Sequence, residues 1–134
     1  MTFGYTINEQ RKMIFMRFSG SFDAAHFLSC IERMWADPAY RQDYEGVADI
    51  TDVEPTYTMA DLRNVIAFLR ENKRTNTARW ALITASPLAA ACGYVYQKAM
   101  SSVHQLEVFS TWEAASSFLQ WEAPRPTFDE HLVV

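Results

Sequence analysis

Short apolar runs alternate with stretches whose apolar residues recur every three or four positions, and this alternation predicts the elements of the chain. Phe3–Ile7 and Met13–Phe18 read as two strands. The polar, turn-forming Asn8-Glu9-Gln10-Arg11 joins them as a hairpin. In the second strand Met13, Phe15 and Arg17 share one face, and Ile14, Met16 and Phe18 share the other. With both faces largely apolar, that strand belongs in the middle of a sheet. Gly20-Ser21 stops it, and a helix follows over about Phe22–Trp35, with Ala24, Phe27, Leu28, Ile31 and Trp35 as its apolar stripe. Asp37-Pro38 ends that helix, because proline disfavours helical backbone at the residue before it.

Gly46–Thr51 is the third strand, and Asp52–Tyr57 reads as a loop. Thr58 and Asp61 have capping-box spacing at the start of a second helix, whose stripe is Met59, Leu62, Val65, Ile66 and Leu69. Trp80–Thr84 is a fourth strand, too apolar for a surface position. Ser86-Pro87 then starts a third helix: Ser caps a free backbone N–H, and Pro has none to leave unpaired. Leu88, Ala91, Cys92, Val95 and Ala99 are expected on its inner face. Leu106–Phe109 is the fifth strand, and Ser110 with Glu113 suggests a second capping box before Trp112, Ala115, Phe118 and Leu119.

The order is β-β-α-β-α-β-α-β-α, an α/β domain over residues 1–120 with a tail at 121–134. Right-handed strand–helix–strand crossovers make the five-stranded sheet mostly parallel, with the first strand antiparallel through its hairpin. The tail lies outside this pattern. Pro124 and Pro126 bar a helix there, yet Trp121, Phe128, Leu132, Val133 and Val134 are apolar.

Composition narrows the function more than it identifies one. A chain of 134 residues is one domain by size. Four glycines and five prolines argue against disorder and against a Gly-rich phosphate loop. A net charge of −4 gives no general attraction for nucleic acid. The one basic cluster, Arg70, Lys73, Arg74 and Arg79, falls mostly in the last turns of the second helix, where cations complement the dipole. Two cysteines, Cys30 and Cys92, with no CxxC, suit a reduced cytoplasmic compartment. The N-terminus lacks the pattern of a signal peptide, and no apolar run is long enough to span a bilayer.

Three segments carry a family resemblance. Val47-Ala48-Asp49-Ile50-Thr51-Asp52-Val53, Ala81-Leu82-Ile83-Thr84-Ala85-Ser86-Pro87-Leu88 and the closing Val108-Phe109-Ser110-Thr111-Trp112-Glu113-Ala114-Ala115-Ser116-Ser117-Phe118-Leu119 resemble the SpoIIAA-like (STAS-like) family over roughly Thr6 to Gln120. The resemblance implies helices mainly on one face of a mixed sheet, in cytoplasmic bacterial proteins mostly without an assigned activity. Anti-sigma-factor antagonists of the wider superfamily are phosphorylated on a Ser in D-S-S-G-L. This chain has Tyr57-Thr58-Met59-Ala60-Asp61-Leu62 there, so Thr58 alone matches in kind and is the candidate for phosphorylation. A related lipid-binding fold class brings a small apolar or lipid-like ligand into view.

Candidate chemistry is sparse. Asp49 and Asp52 flank the end of the third strand, where α/β folds place ligand sites. With Tyr57, Thr58 and Ser86 they would gather along one rim of the sheet as a ligand-binding set. His26 and Cys30 share a helix side but lack further ligands, and His104 and His131 stand alone, so no metal site is expected. No nucleophile–base pair or nucleotide loop can be assembled, and no cofactor is expected. Tyr94 and Tyr96, with Tyr57 and Phe68, could form an exposed apolar surface. Trp121 and Phe128 in the tail add to it as interface candidates. Two functions are expected: a non-enzymatic regulatory or protein-interaction module that forms a homodimer, or a binder of a small apolar or lipid-like ligand, with the membrane surface as one place for it.

Overall fold

The polar turn after Asn8 folds the chain back, and β1 (Thr2–Asn8) pairs antiparallel with β2 (Met13–Ser21), from Thr2 opposite Ser19 to Asn8 opposite Met13. The structure, a computed structural model, describes residues 1–126 and 131–132. After β2 come α1 (Ala24–Trp35), β3 (Glu45–Glu54), α2 (Met59–Glu71), β4 (Arg79–Ile83), α3 (Pro87–Ala99), β5 (Gln105–Phe109) and α4 (Trp112–Leu119). The strands lie in the order β5-β4-β3-β2-β1, with β2 to β5 mutually parallel. This is the mostly parallel five-stranded sheet that the alternation predicts.

The chain steps from β2 to β5 always in the same direction. Right-handed crossovers then put α1, α2 and α3 on the same face. Ile14, Met16 and Phe18 of β2 pack there against Ile31 and Met34 of α1 and Val65 and Leu69 of α2. α4 follows the last crossover and crosses to the other face. There Ala115 and Leu119 cover Met13, Phe15, Val47, Ala81 and Ile83. The two-faced burial of β2 is thus satisfied from both sides.

Four details depart from the sequence pattern. β3 runs on to Glu54, so Asp52 is a strand residue; a register shift between Arg17 and Ser19 of β2 lets the pairing continue. The tail adds a sixth strand, β6 (His131–Leu132), antiparallel to β1, with Thr2 opposite Leu132 and Phe3 opposite His131. Two residues with no alternation to read left no strand signal of their own; the free edge of β1 supplies the template. α4 is capped by Thr111, whose hydroxyl accepts from Ala114 N at 3.1 Å, rather than by Ser110.

α3 is rotated relative to its expected stripe. Ala89 and Gly93 are its buried residues, while Leu88, Ala91 and Val95 face outward. Most of this helix is apolar or small, so periodicity alone does not select a face. Close approach does: a Cβ on Gly93 would stand 2.9 Å from Leu82 and 3.0 Å from Val108. Only the Gly93 side can lie flat on β4 and β5.

A candidate binding cavity between sheet and helices

α3 and α4 come close to the sheet through Gly93 and Ala115, whereas α1 and α2 are held off it by large side chains. A cavity of about 180 Å³ results between the sheet and α1–α3. Met16, Phe18, Ala48, Ile50 and Leu82 form its floor, and Ile31, Met34, Leu62, Val65 and Ala89 are among the residues of its roof. Among the described residues its lining includes no Asp, Glu, Lys or Arg.

Burial distinguishes the two ends. Trp35, Leu69, Asn76, Trp80, His104 and Leu106 line the end where β4 and β5 begin, and all are buried. There the Trp35 and Phe68 rings stack 5.9 Å apart. Phe22, Tyr57, Leu62 and Cys92 line the opposite end, where β2 and β3 finish, and these are half-buried. That end is the mouth. Phe22 and Tyr57, from two different connections, meet edge to face with centroids 5.0 Å apart. Tyr57 also hydrogen-bonds Cys92 of α3, and burial, with the Cys92 thiol adding, pushes its hydroxyl up to about 12. Tyr57 is therefore a neutral phenol at the rim.

At the closed end Tyr96 and His104 share a hydrogen bond, Tyr96 Oη to His104 Nε2 at 2.9 Å. Burial lowers His104 to about 4, so its imidazole is neutral near pH 7, and burial raises Tyr96. Thr75 and Asn76 are satisfied by the carbonyls of Leu69 and Tyr44. Trp80 Nε1 and His104 Nδ1 are buried without a hydrogen-bond partner among the described residues. Such atoms cost about 1–3 kcal/mol each and are rare in native interiors.

The expected rim of Asp49, Asp52, Tyr57, Thr58 and Ser86 does not come together around this space. Ala48 and Ile50 point into the cavity, so the strand's alternation turns Asp49 to the α4 face. There Asp49 accepts from Thr51 N at 3.0 Å and pairs with Arg125, whose guanidinium lies over Trp112. Asp52 pairs with Arg17 at 2.5 Å. Thr58 and Ser86 act as N-caps: Thr58 Oγ1 accepts from Asp61 N at 3.1 Å, and Ser86 Oγ accepts from Ala89 N at 3.3 Å. Asp61 returns a bond to Thr58 N at 2.8 Å, completing the capping box. Of the five, Tyr57 alone lines the cavity.

The aromatic interface candidates also separate. Tyr94 is exposed at 56 %, on the outer side of α3 with Leu88 and Val95. Tyr96 turns inward to His104 instead of sharing that surface. Phe68 stacks on Trp35 within the core. Trp121 packs edge to face on this chain's own Phe15, centroids 5.0 Å apart, with Arg11 over its ring. Phe128 lies outside the described residues. Among the described residues no three His, Cys, Asp or Glu side chains are placed to hold a metal ion, and no helix is long and apolar enough to cross a membrane.

Sequence reasoning missed Phe22, Phe27, Met34, Trp80, Cys92 and His104 as a set, because a cavity is a property of spacing between elements. One signal was available: Ala48 and Ala89 put small side chains at inward positions where close packing would favour Leu or Val.

With a mostly parallel sheet covered by helices on both faces, the chain is an α/β domain of SpoIIAA-like fold. A crystal structure of an uncharacterized protein from the DUF3478 family, from Shewanella loihica PV-4, has this fold and superposes with a TM-score of 0.56 at 16 % identity, over 89 % of this chain and 95 % of that one. At that identity the likeness establishes the fold alone. No protein-family profile matches the chain, and no curated protein matches it.

Proposed function

We propose that this domain is a non-enzymatic binder of a small apolar ligand, held between the sheet and α1–α3. The observation that carries the reading is the cavity itself: about 180 Å³, lined almost wholly by apolar side chains, closed at one end and half-open at the other. Close-packed interiors leave few spaces larger than a water, and lining atoms without neighbours forfeit dispersion contacts. Holding α1 and α2 off the sheet is a standing cost to the fold, which a ligand would offset.

Ala48 allows a direct test. It sits on the cavity floor between Met16 and Leu82 of the flanking strands. Ala48→Leu adds buried methyl and methylene groups to open space and is expected to stabilise by about 1–2 kcal/mol. The melting temperature should rise by about 3–8 °C. Binding of α-methylstyrene, a compact apolar probe, should be abolished in calorimetric titration. Stabilisation with loss of binding marks a space kept for a ligand. A wild type that binds no such probe, or a variant that binds it as well, would sink the reading.

A second reading, pairing of two copies or docking of a regulatory protein, is favoured by the outer face of α3. Leu88, Tyr94 and Val95 are exposed there at 51, 56 and 45 %. If that face pairs two copies, light scattering should give a dimer for the wild type and a monomer for the Leu88→Lys, Val95→Lys double variant. A wild-type monomer at high concentration removes the homodimer.

A further inference from the structure

We propose that the ligand is uncharged, has roughly 6–10 heavy atoms, and carries one hydrogen-bond acceptor that meets the indole N–H of Trp80 at the closed end. This rests on the reading that the cavity is a binding site, and it adds the chemical class.

Size comes from volume. An engineered cavity of about 150 Å³ lined by apolar side chains takes up benzene. A space of about 180 Å³ therefore suits one ring with a short substituent and excludes a long acyl chain or a nucleotide. Charge comes from the lining. Among the described residues it includes no Asp, Glu, Lys or Arg, and His104 is neutral at pH 7. A carboxylate, phosphate or ammonium would lose its hydration without gaining a counter-ion, which is prohibitive.

The acceptor comes from Trp80. Its indole is held flat because Gly46, its neighbour on β3, has no side chain: a Cβ there would lie 2.5–2.6 Å from the ring atoms Cζ2, Cε2 and Cη2. The nitrogen is a donor only, and Trp80 is 5 % exposed with no partner for Nε1 among the described residues. His104, 8 % exposed, adds an unpartnered Nδ1, which becomes a second donor when Tyr96 donates to Nε2. Neither nitrogen is open to water, so solvent does not relieve them. A small turn of the indole toward the cavity is part of the binding step. A carbonyl oxygen delivered by the ligand is the group that satisfies a buried N–H at the end of an apolar slot.

Three near-isosteric probes separate the parts of this proposal. Acetophenone carries the acceptor, α-methylstyrene replaces C=O by C=CH₂, and benzoate adds charge. Both neutral probes should bind the full chain, and benzoate should not. In ¹⁵N-labelled protein the Trp80 indole N–H resonance, assigned through its proximity to Gly46, should move downfield with acetophenone and stay in place with α-methylstyrene. In Trp80→Phe the acetophenone-to-α-methylstyrene affinity ratio should fall about three- to tenfold, the worth of one net hydrogen bond. Should that variant not fold, the wild-type resonance decides. Equal binding of the neutral probes with an unmoved indole overturns the acceptor while leaving the apolar site intact. Benzoate binding overturns the requirement for neutrality. Failure of both neutral probes removes the binding site on which the proposal rests.

Discussion

Gly46→Ala is expected to destabilise the fold by about 2–3 kcal/mol, the upper part of the range for overpacking. The added methyl would stand 2.5 Å from Trp80 Cζ2 and 2.6 Å from Cε2 and Cη2, well inside contact distance. These are atoms of a rigid double ring that is 5 % exposed and packed in the main core, so relief needs the whole ring to lift off β3, a larger movement than the small turn that aims its N–H into the cavity. Gly93→Ala makes a useful contrast. Its methyl would meet the branched ends of Leu82 and Val108 at 2.9 and 3.0 Å, which can shift by a few tenths of an ångström. Replacing a helical glycine also recovers about 1 kcal/mol of helix propensity. The net effect at Gly93 should therefore be small. Urea unfolding of the two variants, with unchanged m-values, measures the difference. A Gly46→Ala protein as stable as wild type would mean that the indole does not lie on β3.

The second large effect concerns acid. Burial lowers His104 from an ordinary value of 6.5 to about 4 in the folded chain. Between those values the unfolded chain binds the proton and the folded chain does not, so stability rises with pH across this window and falls as the solution is acidified through it. One pKa unit corresponds to 1.36 kcal/mol, so the loss between pH 6.5 and pH 4 is on the order of 3 kcal/mol. The lining around the imidazole offers no carboxylate to stabilise a charged form, and Tyr96 is the one described hydrogen-bond partner of its ring. His104→Gln keeps a hydrogen-bonding group but cannot titrate. Its stability relative to wild type should thus improve steadily as the pH drops from 6.5 to 4. Parallel pH profiles for the two proteins would show that His104 does not carry the acid sensitivity.

How much of this could be read beforehand depends on whether a feature is local. The alternating faces of β2 predicted its central position, because a strand apolar on both sides must be covered twice. Thr58 and Ser86 were recognisable as caps because an N-cap is a contact across three residues. The extension of β3 through Asp52 was not legible, since it depends on a shift in the pairing with β2. The face of α3 was misjudged because its apolar residues lie all round it, and the space beside Gly93 belongs to β4 and β5. Asp49 illustrates the same limit. Its position near a strand end suggests a ligand site, while its ion-pair partner Arg125 is remote in sequence and reaches it only once the chain after α4 lies along that face of the sheet.

By itself, then, the sequence determined the order of the elements, the parallel sheet and the caps at Thr58 and Ser86, because each follows from periodicity or turn chemistry along a few neighbouring positions. The tertiary structure alone decided that α1 and α2 stand off the sheet while α3 closes on it. It also decided that the resulting space ends at an indole and an imidazole, each with a nitrogen that has no partner among the described residues. A cavity is a difference between the volume that the elements enclose and the volume that their side chains fill, and that difference exists only after the elements have been brought together.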